Sequence, residues 1–234
     1  MMDGFMDLSR DQKQKLLFFL TEFISENKKN KFKEIIRYRT RHITLVLEDI
    51  FQPHNASAVL RSCDCFGIQD VHIIENTNKY EVNPDVALGS SKWLSLYKYN
   101  ALENNTAACL KSLKDAGYSI VATTPHEEEY TPEDLPLNRK IALVFGTEME
   151  GLSPLALEMA DRFVKIPMYG FTESLNISVS AALLIRTLTE RLRNSDIEWR
   201  IPDEEQEDIR IAWAKSVVKK AEILEKEFLR KLIQ

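Results

Sequence analysis

Gly170-Phe171-Thr172-Glu173-Ser174-Leu175-Asn176-Ile177-Ser178-Val179-Ser180-Ala181-Ala182 carries a polar, glycine-led loop straight into a helix of small residues. A short apolar strand, Phe163-Val164-Lys165-Ile166-Pro167, precedes it. Ser174 and Asn176 offer side-chain acceptors for the free backbone N–H groups of the first helical turn. Two readings stand at this point: ordinary helix capping, or a loop that shapes a ligand site. The rest of the chain has to separate them.

Upstream, the apolar pattern alternates between strand and helix. Strands are expected at 43–47, 71–74, 94–99, 118–123 and 141–145, with helices at 55–66, 104–116 and from 152 to about 160. Gly67 is placed to stop the helix before it. The strand ending at Pro167 and a long helix over 174–193 complete the series. Continuous apolar runs indicate strands buried on both faces. The alternation predicts an α/β fold with a mostly parallel, doubly wound sheet and flanking helices.

Helical extensions flank this core. Residues 9–41 read as two helices broken at 27–30, with Leu16, Leu17, Leu20, Phe23 and Ile24 on one side of the first. The tail reads as one long helix over 203–233, with Ile209, Trp213, Val217, Ala221 and Leu224 at helical spacing. The expected organisation is a basic helical extension over 1–42, a central domain over 43–194 and a helical extension over 195–234.

With 44% hydrophobic residues the chain can build a substantial core. No apolar run is long enough to cross a bilayer, and the N-terminus lacks a basic-then-apolar signal pattern, so a soluble cytoplasmic protein is expected. Cys63, Cys65 and Cys109 are odd in number and lack the paired spacing of a zinc site, so buried reduced thiols and no metal are expected. The net charge of −5 argues weakly against a nucleic-acid partner, but the charge is unevenly spread. Between Asn27 and His42 seven basic residues face one acid, and Lys29, Lys33, Arg37 and Arg41 recur every fourth residue, a basic stripe if the helix runs through them. A solvated helical face is the plain alternative.

Four segments fall at or just after predicted strand ends, where ligands collect in open parallel sheets. They are Pro53-His54-Asn55-x5-Arg61, Thr123-Thr124-Pro125-His126, Phe145-Gly146-Thr147-Glu148-Met149-Glu150-Gly151, and the loop from Ile166 to Asn176. No Gly-x-Gly-x-x-Gly follows the first strand and no phosphate-binding P-loop is present, which argues against dinucleotide and nucleoside triphosphate sites.

Three of these segments resemble a known family in order, spacing and residue type. Asn55-x5-Arg61-x4-Phe66-Gly67, Leu143-Val144-Phe145-Gly146-x-Glu148-x2-Gly151-Leu152 and Ile166-Pro167-Met168-x6-Leu175-Asn176-Ile177-Ser178-Val179-Ser180-x-Ala182 resemble the ordered motifs of the SpoU/TrmH branch of the SPOUT RNA methyltransferases. The likeness covers about 37–193, and the helical ends resemble the group that methylates tRNA guanosine.

The resemblance implies a C-terminal deep trefoil knot and S-adenosylmethionine, S-adenosyl-L-methionine in full, held in its loops. It assigns the cofactor to Thr123, Thr124, Phe145, Gly146, Thr147, Gly151, Ile166, Pro167, Met168, Ser174, Leu175 and Asn176. It implies catalytic roles for Arg61, Asn55, Glu148, Ser174 and Asn176, with Arg61 beside the target ribose. Lys29, Lys33, Arg37, Arg41 and Arg61 become the RNA-binding set. The implied activity is methylation of an RNA 2'-hydroxyl, foremost a D-loop guanosine of tRNA, by a homodimer. Methylation of ribosomal RNA or another tRNA nucleotide is the nearest alternative, and a non-catalytic RNA-binding protein of the same fold is an alternative of another class. Residue by residue, plainer readings stay open: Arg61 paired with Asp64, Asn55 as a helix cap, Glu148 tying a turn, and His54 and His126 as structural or solvated groups.

Overall fold

Residues 43–48 and 141–145 become adjacent central strands in which every residue is buried. A computed structural model describes residues 8–81, 83–127 and 129–232. In chain order the elements are α1 (Arg10–Thr21), α2 (Glu26–Ile35), β1 (Ile43–Glu48), α3 (Pro53–Phe66), β2 (Asp70–Ile74), α4 (Pro84–Ala87), β3 (Ser95–Tyr99) and α5 (Asn105–Asp115). They continue with β4 (Ser119–Thr123), β5 (Ile141–Phe145), α6 (Pro154–Met159), β6 (Arg162–Val164), α7 (Ile177–Arg193), α8 (Asp203–Val217) and α9 (Ala221–Leu232).

Among the described residues six strands form one sheet in the order β3-β2-β1-β5-β4-β6, and every pairing is parallel. Ile43, Leu45 and Leu47 point to one face, where α3 and α7 supply Val59, Leu60, Leu184 and Leu188. Val46, Ala142 and Val144 point to the other, against Cys109, Leu110 and Leu113 of α5 and Ala156 of α6. The alternation of side chains along a strand requires this two-sided core. The chain steps outward from β1 through β2 to β3, then returns to place β4 and β5 on β1's other side. The crevice at the carboxyl ends near that reversal is where such sheets bind ligands.

Contacts divide the chain into two units, one formed by the segments up to Arg39 and from Arg200, the other by Thr40–Trp199. In the helical unit Leu16, Leu17 and Leu20 of α1 are buried, as are Ile209, Ile211 and Trp213 of α8. Lys13 Nζ donates to Asp208 Oδ2 at 3.0 Å and Gln14 Nε2 to Glu207 Oε1 at 2.8 Å. The Arg39 guanidinium is buried 5.4 Å from the Trp213 ring centroid. Among the described residues no helix is long and apolar enough to cross a membrane.

Several local expectations give way to packing. The break between the first two helices lies at 22–25, and residues 27–30 sit inside α2, where Asn27 and Asn30 face solvent and Lys29 pairs with Glu26 at 2.7 Å. The tail is two helices, not one: Lys220 adopts φ 58°, Val218 turns inward, and Phe228 of α9 stacks on Phe19 with ring centroids 5.1 Å apart. Apolar spacing survives a short turn unchanged, so periodicity could not show the reversal. β6 stops at Val164 because the chain then bonds elsewhere, Lys165 N donating to Tyr130 O at 2.9 Å, and Pro167 has no N–H to extend a ladder. Cys63 and Cys109 are buried thiols, whereas Cys65 is exposed.

His72 gives this core a pH dependence. It is buried in β2, stacked on Tyr97 at 4.8 Å, with Nδ1 3.2 Å from the Tyr99 hydroxyl, and burial lowers its pKa from 6.5 to about 4. The unfolded chain therefore takes up this proton first as pH falls, so stability is lost between about 6.5 and 4, by roughly 3 kcal/mol at most. Denaturant titrations of wild type and His72→Phe should show that the variant loses less stability across that window. Identical slopes would remove His72 from the effect.

Candidate active site

β5 ends at Phe145, and the next residue can only be glycine. A Cβ on Gly146 would lie 2.1 Å from the Gly151 carbonyl oxygen and 2.4 Å from Leu152 N. Thr147 N donates to Gly151 O at 2.8 Å and Gly151 N returns to Thr147 O at 3.1 Å, closing the loop on itself. Gly151 takes φ +73°, a left-handed conformation costly for a residue with a Cβ. The Thr147 hydroxyl accepts from Glu150 N at 3.1 Å. The glycine spacing is thus what a tight, self-bonded loop at a strand end requires.

Side chains from three distant segments meet beside this loop. Asn55, in the first turn of α3 rather than at its cap, donates through Nδ2 to Glu148 Oε1 at 2.8 Å. Asn176 Nδ2 donates to Asn55 Oδ1 at 3.1 Å, while Asn176 Oδ1 caps α7 by accepting from Ser178 N at 2.8 Å. Glu148 Oε2 is buried with no hydrogen-bond partner among the described residues. A buried acceptor left open is costly unless an incoming donor fills it.

The loops after β4, β5 and β6 surround a cavity of about 600 Å³. That volume lies within the range of about 300–1,000 Å³ typical of small-molecule sites. Among the described residues Glu148, Glu150 and Glu173 line it and no lysine or arginine does. Ile166, Met168, Leu157 and Leu184 supply apolar wall. An acidic lining with an apolar floor suits a ligand that carries positive charge on an otherwise apolar body, and is unsuited to a polyphosphate.

Most of the expected cofactor residues gather here. Thr123, Thr124, Phe145, Gly146, Thr147, Gly151, Ile166, Met168, Ser174, Leu175 and Asn176 all line the cavity, and Pro167 does not. The Thr123 hydroxyl is already committed, donating to Val144 O at 2.8 Å. α7 starts at Ile177 with Asn176 as its cap, which leaves Ser174 exposed at the rim. Arg61 is exposed on α3 outside the cavity lining, with no protein partner among the described residues, Asp64 included.

The basic stripe is shorter than its spacing suggested. α2 gives way at Ile36 to a 3-10 turn that ends at Tyr38, so Arg41 lies beyond it, held to Asp70 at 3.0 Å, and Lys29 is engaged by Glu26. Lys33 and Arg37 remain exposed. Arg191 and Arg193 on α7 are spent on the carbonyls of Pro132 and Phe66, each at 2.7 Å, and Arg186 pairs with Glu190 at 2.9 Å.

The sequence reading missed Glu48. Buried at the end of β1, its Oε1 accepts from the hydroxyls of Thr106 at 2.6 Å and Ser153 at 2.7 Å, and its Oε2 accepts from Ser153 N at 3.0 Å. Ser153 caps α6 directly after the glycine loop, so Glu48 anchors that loop's far end. Glu48→Ala strands three donors and should cost about 3 kcal/mol or more in denaturant titration. Glu48→Gln should cost less than half of that, because both hydroxyls can rotate to accept; equal losses would contradict the anchoring role. Ser180 was also missed, although its position four residues after Asn176 places it on the same helical face toward the cavity.

Residues 42–186 match the SpoU rRNA Methylase family. The chain is 44% identical to the tRNA (guanosine(18)-2'-O)-methyltransferase of Borreliella burgdorferi over 215 residues, 92% of this chain and 97% of that protein. It is 33% identical to the enzyme of the same name from Thermus thermophilus, over 69% of this chain and 81% of that one. In structure it resembles the A. aeolicus TrmH/SpoU tRNA modifying enzyme, with a TM-score of 0.72 and 28% identity over 83% of this chain and 98% of that chain.

Proposed function

We infer that this chain, which belongs to the SpoU rRNA methylase family, is an S-adenosylmethionine-dependent RNA 2'-O-methyltransferase acting on guanosine 18 in the tRNA D-loop. The observation that carries the reading is the junction of Asn55, Glu148 and Asn176 at a cavity with an acidic lining. The residues present fit the cofactor: carboxylates suit its cationic groups, Glu148 Oε2 awaits a donor, and Ile166, Met168 and Leu175 suit an adenine ring. Bound there, S-adenosylmethionine supplies a methyl group on a positively charged sulfur.

The chain's part is alignment. With the cofactor bound, the chain would hold the ribose 2'-oxygen in line with the methyl group and the sulfur leaving group, and that orientation would supply much of the acceleration. As the methyl arrives the oxygen becomes oxonium-like and strongly acidic, so a weak acceptor such as an RNA phosphate suffices for its proton. A guanidinium stays protonated and is a poor base. Arg61 lies six residues past Asn55, about 9 Å along the helix and on another face, a position suited to gripping a phosphate outside the cavity. Asn55, Glu148 and Asn176 hold the loops in register, and Ser174, exposed where it lines the cavity, is proposed to meet the ribose there. Calorimetric titration with S-adenosylmethionine should give a saturable one-site isotherm; no binding, with or without tRNA, would overturn the reading.

Lys33 and Arg37 are proposed to grip tRNA phosphates, together with whatever part of Lys29 and Arg41 the RNA can release from Glu26 and Asp70. Replacing Lys33 and Arg37 by glutamate should weaken tRNA binding by at least about tenfold and lower the salt slope by about two. Unchanged affinity at moderate salt would assign both cations to solvent.

The trefoil knot and homodimer belong to the same proposal. The connections after β4, β5 and β6 crowd around one cavity, as a knot there requires. Leu175, Val179 and Leu183 recur every fourth residue and are partly exposed, an apolar strip suited to a second copy. Residues 43–194 are proposed as the methyltransferase domain, with 1–42 and 195–234 as extensions, in a protein that works in the cytoplasm beside its tRNA.

A further inference from the structure

Tyr169 and Phe171, in the loop between β6 and α7, are 97% and 108% exposed. Rings of that size gain by leaving water, so two of them one residue apart and almost fully exposed mark a contact surface. They flank Gly170, where an added Cβ would meet nothing within 4 Å among the described residues. Met168 before them and Glu173 after them line the cavity, so the segment that carries the two rings runs along its edge. Met149, from the loop after β5, lines the same cavity and is 94% exposed.

We propose that Tyr169 and Phe171 form a stacking platform for the base of the nucleotide being methylated, a role that rests on the methyltransferase reading above. A 2'-oxygen reaches a methyl group inside a recessed cavity only if its nucleotide leaves the RNA stack, and the base then loses both neighbours. Aromatic side chains at the cavity's edge restore that stacking, which is how single-stranded and extruded bases are commonly held. Every base presents a π-face, so this contact supplies grip rather than base identity. The chemistry separates these rings from the aliphatic strip of Leu175, Val179 and Leu183: a flat ring matches a base, a leucine strip matches another helix.

The test uses the full-length protein with an unmodified tRNA transcript and saturating S-adenosylmethionine. Tyr169→Ala and Phe171→Ala should each lower kcat/KM for tRNA, and tRNA affinity in filter binding, by about tenfold. S-adenosylmethionine affinity and the mass in solution should not change. Tyr169→Phe and Phe171→Trp should retain function, and Phe171→Leu should not. Leucine working as well as phenylalanine, a shift in mass that tracks the loss, or weakened cofactor binding would each overturn the platform. A wild-type chain that methylates no tRNA would refute the proposed function, while tRNA affinity would still report on the rings separately.

Discussion

Arg61→Ala should lower kcat/KM for tRNA by about 10²-fold, because losing the proposed grip on a phosphate near the target ribose lets the 2'-oxygen drift out of alignment. The variant is a clean probe because Arg61 is exposed and bonds to nothing in the described chain. Stability should therefore change by no more than about 0.5 kcal/mol. The cavity is lined without Arg61, so S-adenosylmethionine affinity should stay within about twofold of wild type. Arg61→Lys keeps the charge but loses the two-pronged geometry, and should fall between wild type and alanine. Turnover at the wild-type rate by the alanine variant would remove Arg61 from the reaction. Lost turnover accompanied by lost cofactor binding would instead make it a structural residue.

Gly146→Ala should abolish cofactor binding while leaving the sheet folded. The added methyl would sit 2.1 Å from Gly151 O and 2.2 Å from Gly151 C, and both are backbone atoms that cannot rotate aside. Relief requires opening the Thr147–Gly151 bonds, which shape one wall of the cavity and position Glu148 for Asn55. A fall of at least about 100-fold in S-adenosylmethionine affinity is expected, with native far-ultraviolet circular dichroism and a lowered melting temperature. Gly151→Ala probes conformation alone, because its φ is +73° but nothing lies within 4 Å, and it should cost about 1–2 kcal/mol. Gly170→Ala meets neither obstacle and should bind cofactor normally. Equal binding by all three variants would mean that the loop does not shape the site.

How far the sequence is legible follows from the range of each interaction. β5 was bounded correctly because a wholly apolar run between Lys140 and the Gly146 turn has one solution in a two-sided core. The end of α3 followed from Gly67, which takes φ 84° as a left-handed stop. The turn at Lys220 and the early end of α2 depend on which side chains find burial partners, and local periodicity carries no record of that. The site divides in the same way. Its loops were visible as motifs, but the bonds that join Asn55 to Glu148, 93 residues away, and to Asn176, 121 residues away, exist only in the fold. Glu48 looked like the last residue of a strand because its partners, Thr106 and Ser153, are 58 and 105 residues distant.

The most direct measurement is methyl transfer followed to the nucleotide. The full-length protein is incubated with labelled S-adenosylmethionine and total RNA, and the labelled ribose is mapped. Label should enter tRNA and reside on the 2'-oxygen of guanosine 18, and Arg61→Ala should leave that position unlabelled. Label confined to ribosomal RNA or to another tRNA nucleotide, or no label in any RNA, would contradict the proposed function.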